Sequence, residues 1–354
     1  MLNEFRTPAA RRWLGWPLLV LGCLCSAGCG AGYLLQAAHG QLQILQKRRP
    51  IAKVLASADT DSVTRQRLLQ VQSARDFASR ELGLPDNRSY RSYADLGRPY
   101  VVWNVVAAPE FSVTPRSWCF PFVGCLAYRG YFKEQAAQRY AAQLAARGDD
   151  TLVGGVTAYS TLGHFSDPVL NTMLAYGDLQ LAGTLFHELA HQLIYVKGDS
   201  VFNESFAMTV EREGLKRWLA AQGREAELAG YLQRREQQRS VVDALAAGRQ
   251  QLAALYRQEI PVEEMRQRKR ALLDQLGQQV LRIEREGGFV SGYSGWAKTG
   301  LNNAHLAAVG TYFDCIPAFE RLLQEQGGKL PDFYAAVRRL GRQPAAERKR
   351  FCTP

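Results

Sequence analysis

The chain has 354 residues, 47% of them hydrophobic and 22% charged. These values exclude wholesale disorder, a collagen-like fibre and a multi-span membrane protein, and the length suits one large domain or two modest ones. The net charge of +11 suits an anionic surface. The basic residues, however, are spread along helical stretches without a nucleic-acid recognition module. Nucleic acid is therefore discounted as a partner, and a nearby bilayer is the milder reading.

Arg6, Arg11 and Arg12 open the chain, an apolar stretch runs from Trp13 to Cys25, and Ser26-Ala27-Gly28 precede Cys29. This is the pattern of a secretory signal peptide over residues 1–28, too short and too poorly flanked for a comfortable transmembrane helix. The small-small-Cys ending resembles a bacterial lipobox. Cys29 is the expected lipidation site and membrane anchor, although Ser26 stands where an aliphatic residue is preferred. Val20-Leu21-Gly22-Cys23 is a competing lipobox, and a plain cleaved signal would leave a soluble periplasmic protein. Gly30 after Cys29 points to the periplasmic face of the outer membrane. No other window is apolar and long enough to span a bilayer.

Three of the seven cysteines, Cys23, Cys25 and Cys29, lie in this leader or directly after it. The remaining four, Cys119, Cys125, Cys315 and Cys352, predict two disulfides in an oxidising compartment. Three connectivities are formally open. Cys119 and Cys125 bracket a short loop with Pro121 and Gly124, and Cys315 with Cys352 would then tie down the C-terminal tail. A cysteine metal site lacks the Cys-x-x-Cys spacing it would need.

Along the chain, Gly40 to about Leu82 is helical and polar-rich until Pro85-Asp86-Asn87 breaks it. Tyr100 to Val106 is a strand, β-branched and aromatic, and Tyr128 to Phe132 is a second. Glu134 to Ala146 reads as a helix stopped near Gly148, and Val153 to Tyr159 as another strand. Helices follow over Asp178–Val196 and Glu204–Ala221. Arg224 to about Glu286 forms a long helical hairpin with one break at Pro261. A final helix runs from Asn302 to about Gly327, interrupted by Pro317. Without an internal repeat or a Pro/Ser-rich linker, residues 29–354 read as one domain carrying a hairpin insert at about 224–286.

His187-Glu188-Leu189-Ala190-His191 carries the chemistry. Residues i and i+4 stack on one helix face, so both imidazoles can reach one ion, while Glu188 is rotated toward the water on that ion. No charged residue occurs from Leu179 to Phe186, so this helix should be buried, and buried polar groups need a reason to be there. Metzincins place a Gly three residues after the second His and a third His three beyond that. Ile194 and Lys197 stand there instead. The remaining option is Glu204, thirteen residues after His191 and closer than in common glutamate zincins. Asp199 is the reserve ligand, beside a turn at Gly198. Glu211 lies on roughly the same face as Glu204, either as a carboxylate orienting a ligand histidine or as an ordinary exposed charge.

Several stretches resemble a family of predicted zinc aminopeptidases found as lipoproteins in Gram-negative bacteria. They are Gln36-Ala37-Ala38-His39-Gly40-Gln41, Trp118-Cys119-Phe120-Pro121, Ala127-Tyr128-Arg129-Gly130-Tyr131-Phe132, the HELAHQ run at 187–192, Asn203-Glu204-Ser205-Phe206-Ala207, and Leu301-Asn302-Asn303-Ala304. The resemblance spans nearly the whole chain from the lipobox onward. It implies an α+β zincin-like fold and an exported peptidase holding one Zn²⁺ through His187, His191 and Glu204. The fold expected is predominantly helical, with a small sheet.

The reaction expected is hydrolysis near the N-terminus of peptides, with Glu188 activating a zinc-bound water as general base. Tyr293, between glycines, is the candidate oxyanion donor, with Tyr159 and His164 as rivals. The Val153–Tyr159 strand would line the cleft and bind substrate backbone as an added strand. Asp167, Asp178, Glu211 and Glu213 are the carboxylates available to hold a substrate amine. The alternatives are a zinc endopeptidase of the envelope and a non-catalytic lipoprotein scaffold built on the hairpin.

Overall fold

A computed structural model describes residues 32–120, 124–158, 160–161, 163, 165–309 and 315–352. The predicted leader, Cys29, Tyr159 and His164 lie outside the described residues. The chain divides after Gln46 into two units, the first contributing helix α1 (32–46). The second unit carries everything that follows.

It begins with β1 (Arg49–Pro50), α2 (Ile51–Ala56), α3 (Ser62–Arg80), β2 (Ser92–Ala94) and β3 (Val102–Pro109). Next come β4 (Trp118–Phe120), β5 (Gly124–Leu126), β6 (Arg129–Tyr131), α4 (Glu134–Ala145), β7 (Asp149–Val156) and β8 (Val169–Leu170). The rest is helical: α5 (Asn171–Leu174), α6 (Asp178–Leu193), α7 (Ser200–Ala220), α8 (Ala226–Leu255), α9 (Val262–Gly287), α10 (Ser294–Thr299), α11 (Asn303–Ala308), α12 (Ile316–Glu325), α13 (Leu330–Gly341) and α14 (Ala345–Cys352). The class is α+β, mostly helical with small sheets, and no described helix is long and apolar enough to cross a membrane.

The main sheet has the order β6-β3-β7 and is antiparallel throughout. β3 lies at its centre because both of its side-chain sets are apolar. Val102, Val106 and Ala108 alternate with Trp103, Val105 and Ala107, and all are buried. A strand buried on both faces needs cover on both. α4 and α11 supply it by packing on β3 and β7, and Ala304 of α11 joins Val106 and Leu152 in one cluster. α4 turns Ala137, Ala141 and Leu144 inward, the i, i+4, i+7 stripe of an amphipathic helix. A second small sheet, β1-β2-β8, pairs β2 with β8 in parallel. β4 and β5 form a hairpin in which Cys119 faces Cys125 and is bonded to it. The second disulfide joins Cys315 to Cys352.

Several boundaries move from their sequence expectation, each for a physical reason. β7 starts at Asp149, four residues ahead of the predicted Val153, although Asp149 and Asp150 favour loops. Both acids are neutralised: Arg116 reaches Asp149 at 2.5 and 2.7 Å, and Lys269 reaches Asp150 at 2.7 Å. The helix expected over 40–82 is three helices, because Pro50 and Asp61 each start a new one. Asp61 accepts a capping bond from the Thr64 backbone N–H at 2.9 Å, the role this side chain favours at a helix start. α6 ends at Leu193 rather than Val196. Val196 has its N–H and C=O both taken by the side chain of Asn203, each at 2.8 Å. Beyond Gly327, where no element was expected, α13 packs Phe333, Tyr334 and Val337 into the core.

Candidate metal centre

α6 and α7 make an antiparallel pair whose close contact begins with a glycine. A Cβ on Gly183 would lie 3.2 Å from Leu215 Cδ1 and 3.3 Å from both Glu211 Cγ and Tyr231 Oη. A methyl here would press on these three side chains, so glycine lets α7 lie close against α6. The connection is equally determined. Gly198 takes φ +81°, a left-handed turn that favours glycine. Asp199 then caps α7, accepting from the Phe202 N–H at 3.2 Å. Its other oxygen accepts from Arg348 Nε at 2.7 Å. Asp199 is thus committed to the helix start and to Arg348, away from the ligand group.

This packing sets three donor side chains against one another. His187, His191 and Glu204 each offer a ligand atom, all within 4.8 Å of one another. The two Nε2 atoms are 3.1 Å apart. Glu204 Oε2 is 3.2 Å from His187 Nε2, and Oε1 is 3.4 Å from His191 Nε2. His191 is buried, while the Glu204 side chain is 38% exposed, so one side of the group is open. Three protein ligands with an open side is the arrangement of a catalytic rather than a structural site.

Glu211 stands behind His187. His187 Nδ1 donates to Glu211 Oε2 at 3.1 Å, which turns Nε2 toward the group. Tyr231, from α8, donates to the other Glu211 oxygen, and Arg235 approaches it at 3.7 Å. Sequence reading left Glu211 open between two roles. The structure makes it a buried acceptor on a histidine, although neither Tyr231 nor Arg235 carries any sequence signal of that contact.

The electrostatics agree with a cation site. Burial opposes charge on His187, but the hydrogen bonds to Glu204 and Glu211 outweigh it and push the imidazole up to about 10. Burial likewise disfavours the Glu204 carboxylate, yet His187 and His191 hold it far below its usual range. Glu211 moves the same way: burial raises it, and His187, Arg235 and Tyr231 together hold it lower. Two carboxylates around two imidazoles therefore demand positive charge, and the donor set fits a divalent metal. Glu188 is half-buried on the same helix, one residue from a ligand.

The remaining candidates are dispersed. Asp178 pairs with Arg224 at 2.6 Å, and Glu213 pairs with Arg217 at 2.7 Å. Asp167 is buried and accepts from the Thr161 N–H and hydroxyl at 2.9 Å. Tyr293 precedes α10, with its ring edge-on to Trp296 at 5.2 Å. It lines a cavity of about 450 Å³ with Met208, Arg212 and Arg235, and His187, His191 and Glu204 are absent from that lining.

No curated protein and no solved structure matches the chain. A family model described as "Putative aminopeptidase" matches residues 32–352, which include all of α6 and α7. The chain belongs to that aminopeptidase family.

Proposed function

We propose that this protein is a zinc-dependent aminopeptidase with a zincin-type active site, working on peptides in the cell envelope. The observation that carries the reading is the convergence of His187, His191 and Glu204 beside Glu188. The family supports a peptidase, and the two-nitrogen, one-oxygen donor set suits zinc. His187 and His191 would hold the ion through Nε2, and Glu204 through its carboxylate. When bound, zinc lowers the pKa of water and polarises a scissile carbonyl.

Everything else falls to the chain. Glu188 takes the proton of the attacking water on its carboxylate and passes it to the leaving amine. Glu211 fixes the His187 tautomer, and Tyr231 fixes Glu211. The exposed flank of Glu204 admits the peptide. In the same proposal, cleavage of a leader over residues 1–28 and lipidation of Cys29 would hold this activity at the periplasmic face of the outer membrane.

Metal content by mass spectrometry, on the chain from Gly30 onward, tests the site. The expected result is about one zinc per wild-type chain and loss in Glu204→Ala. Absence of metal after zinc loading would sink the enzyme reading. Peptides with free and acetylated N-termini then test the exopeptidase claim, with cleavage expected only of the free form. Equal cleavage of both would make the protein an endopeptidase.

A further inference from the structure

The cavity beside Tyr293 is built by both helical pairs. Met208 and Arg212 come from α7, and Arg235, Arg239 and Val242 come from α8. Its volume, about 450 Å³, falls within the range of small-ligand sites, ~300–1,000 Å³. Met208, Val242 and Tyr293 give it an apolar wall, and three guanidinium groups stand on that wall. Apolar cover with a few placed polar groups is the make-up of a ligand site.

The guanidinium groups differ in how firmly they are held. Arg212 meets Glu320 at 2.7 Å. Arg235 has its carboxylate partner, Glu211, at 3.7 Å, and Arg239 has Asp243 at 3.8 Å. Both separations exceed the ~2.7–2.9 Å of a charge-assisted hydrogen bond. These two side chains are 41% and 45% exposed, and they stand one turn apart on the same face of α8. Neighbouring guanidinium groups present paired N–H donors, the geometry that takes a carboxylate. The acids on the wall are Glu236 and Asp243, so the three arginines leave positive charge in excess.

The position of the cavity relative to the metal group follows from α7. Glu204, Met208 and Arg212 succeed one another at i, i+4 and i+8 on one helix face. The cavity thus starts one turn beyond the open flank of Glu204, and Arg212 lies about 12 Å along the axis from it. An extended peptide covers ~3.3–3.6 Å per residue. With its first carbonyl at the metal group, its C-terminal carboxylate comes level with the arginines at a length of about four residues.

We infer that this cavity receives the C-terminal carboxylate and the apolar last side chain of a short peptide whose first bond lies at the metal centre. The substrate class is then free-acid peptides of about four residues. The inference rests on the peptidase reading and deepens it by naming that class.

The test compares alanyl-alanyl-alanyl-leucine as the free acid and as the C-terminal amide. Amidation removes the charge and keeps the length. In the amide kcat/KM should fall about tenfold, mostly through KM, as expected for the loss of one hydrogen bond to a charged group. An octapeptide with the same last residue should show no such preference, because its carboxylate passes beyond the cavity. Arg239→Gln is the variant to use, because Arg235 also serves Glu211. It should erase the acid-over-amide ratio, with zinc stoichiometry and Tm at wild-type values, and Arg239→Lys should restore part of the ratio. Equal rates for acid and amide in the wild-type chain would overturn the inference. So would an acid preference that survives in Arg239→Gln, which would put the carboxylate elsewhere. The same two tetrapeptides, with the first peptide bond reduced to an uncleavable methylene amine, are then titrated calorimetrically against the zinc-loaded chain. The acid should bind about tenfold more tightly than the amide, and only while Arg239 is present. If the wild-type chain binds zinc but cleaves no peptide, the peptidase reading fails by itself, and this titration alone decides whether the cavity takes a carboxylate.

Discussion

Two helical pairs lie side by side in this molecule and are put together by different rules. In α6–α7 the contact face is polar at its centre: two histidines and two glutamates meet across a seam opened by Gly183. In α8–α9 the seam is apolar, with Val241, Leu245 and Leu252 facing Leu273, Leu276 and Val280. The apolar pair gains about 25 cal/mol for each Å² it buries and tolerates charge everywhere else. The polar pair must pair its buried carboxylates, as Glu211 is paired with His187 and Tyr231, because one unpaired carboxylate costs more than several methylenes return. The two are not independent. Tyr231 and Arg235 lie on the hairpin yet serve Glu211, so the apolar pair anchors the outer layer of the polar one.

The largest test of this contrast acts on the polar pair alone. Glu188→Gln should keep zinc and fold while lowering turnover about 10²–10⁴-fold, the range for loss of a general base. Near-normal activity would remove Glu188 from the chemistry. Next is Glu211→Gln, which leaves His187 with a neutral acceptor. A chelator competition should show zinc affinity about 10–100-fold weaker, with hairpin stability unchanged.

A smaller effect separates the two regions by pH. Burial lowers His305 in α11 to about 4, with Asp150 opposing. Its folded value lies below its unfolded value of about 6.5, so the stability it contributes is complete above pH 6.5. That stability is lost as pH falls toward 4. Denaturant unfolding of the metal-free chain should show a loss on the order of 2 kcal/mol over that window from this group. His305→Gln should lack that step, while Glu211→Gln should retain it. The smallest effect compares two glycines. Gly248→Ala places a Cβ 2.4 Å from Leu276 Cδ2, so the hairpin must repack. The strain exceeds the gain in helix propensity, for a net cost of about 1 kcal/mol with zinc affinity unchanged. Gly183→Ala should cost about as much and also weaken zinc. Equal zinc loss in both variants would break the comparison.

The sequence showed the polar pair better than its surroundings. The i, i+4 histidines and the glutamate thirteen residues beyond are local, and helix periodicity converts their spacing into geometry. The hairpin was equally legible, because few breakers interrupt a long run of helix formers. What escaped was non-local. Strands of two or three residues such as β1, β2 and β8 have no periodicity to detect, and only pairing creates them. Tyr231 is twenty residues from Glu211 on another helix, and nothing near it in sequence announces the contact. The left-handed backbone of Tyr90, at φ +60°, was hidden further, because it contradicts the residue's own propensity. Arg75, fifteen residues upstream, donates to the carbonyls of Pro85, Asn87 and Ser89 in the loop before it.

The Arg348–Asp199 contact has a consequence for the order of synthesis. Arg348 is made 149 residues after the aspartate that starts α7. Cys352, which locks that tail to Cys315, follows it by four. A nascent chain can therefore expose both histidines and Glu204 long before the start of α7 is clamped. The start of α7 is clamped last, by a C-terminal segment that the Cys315–Cys352 disulfide holds in place.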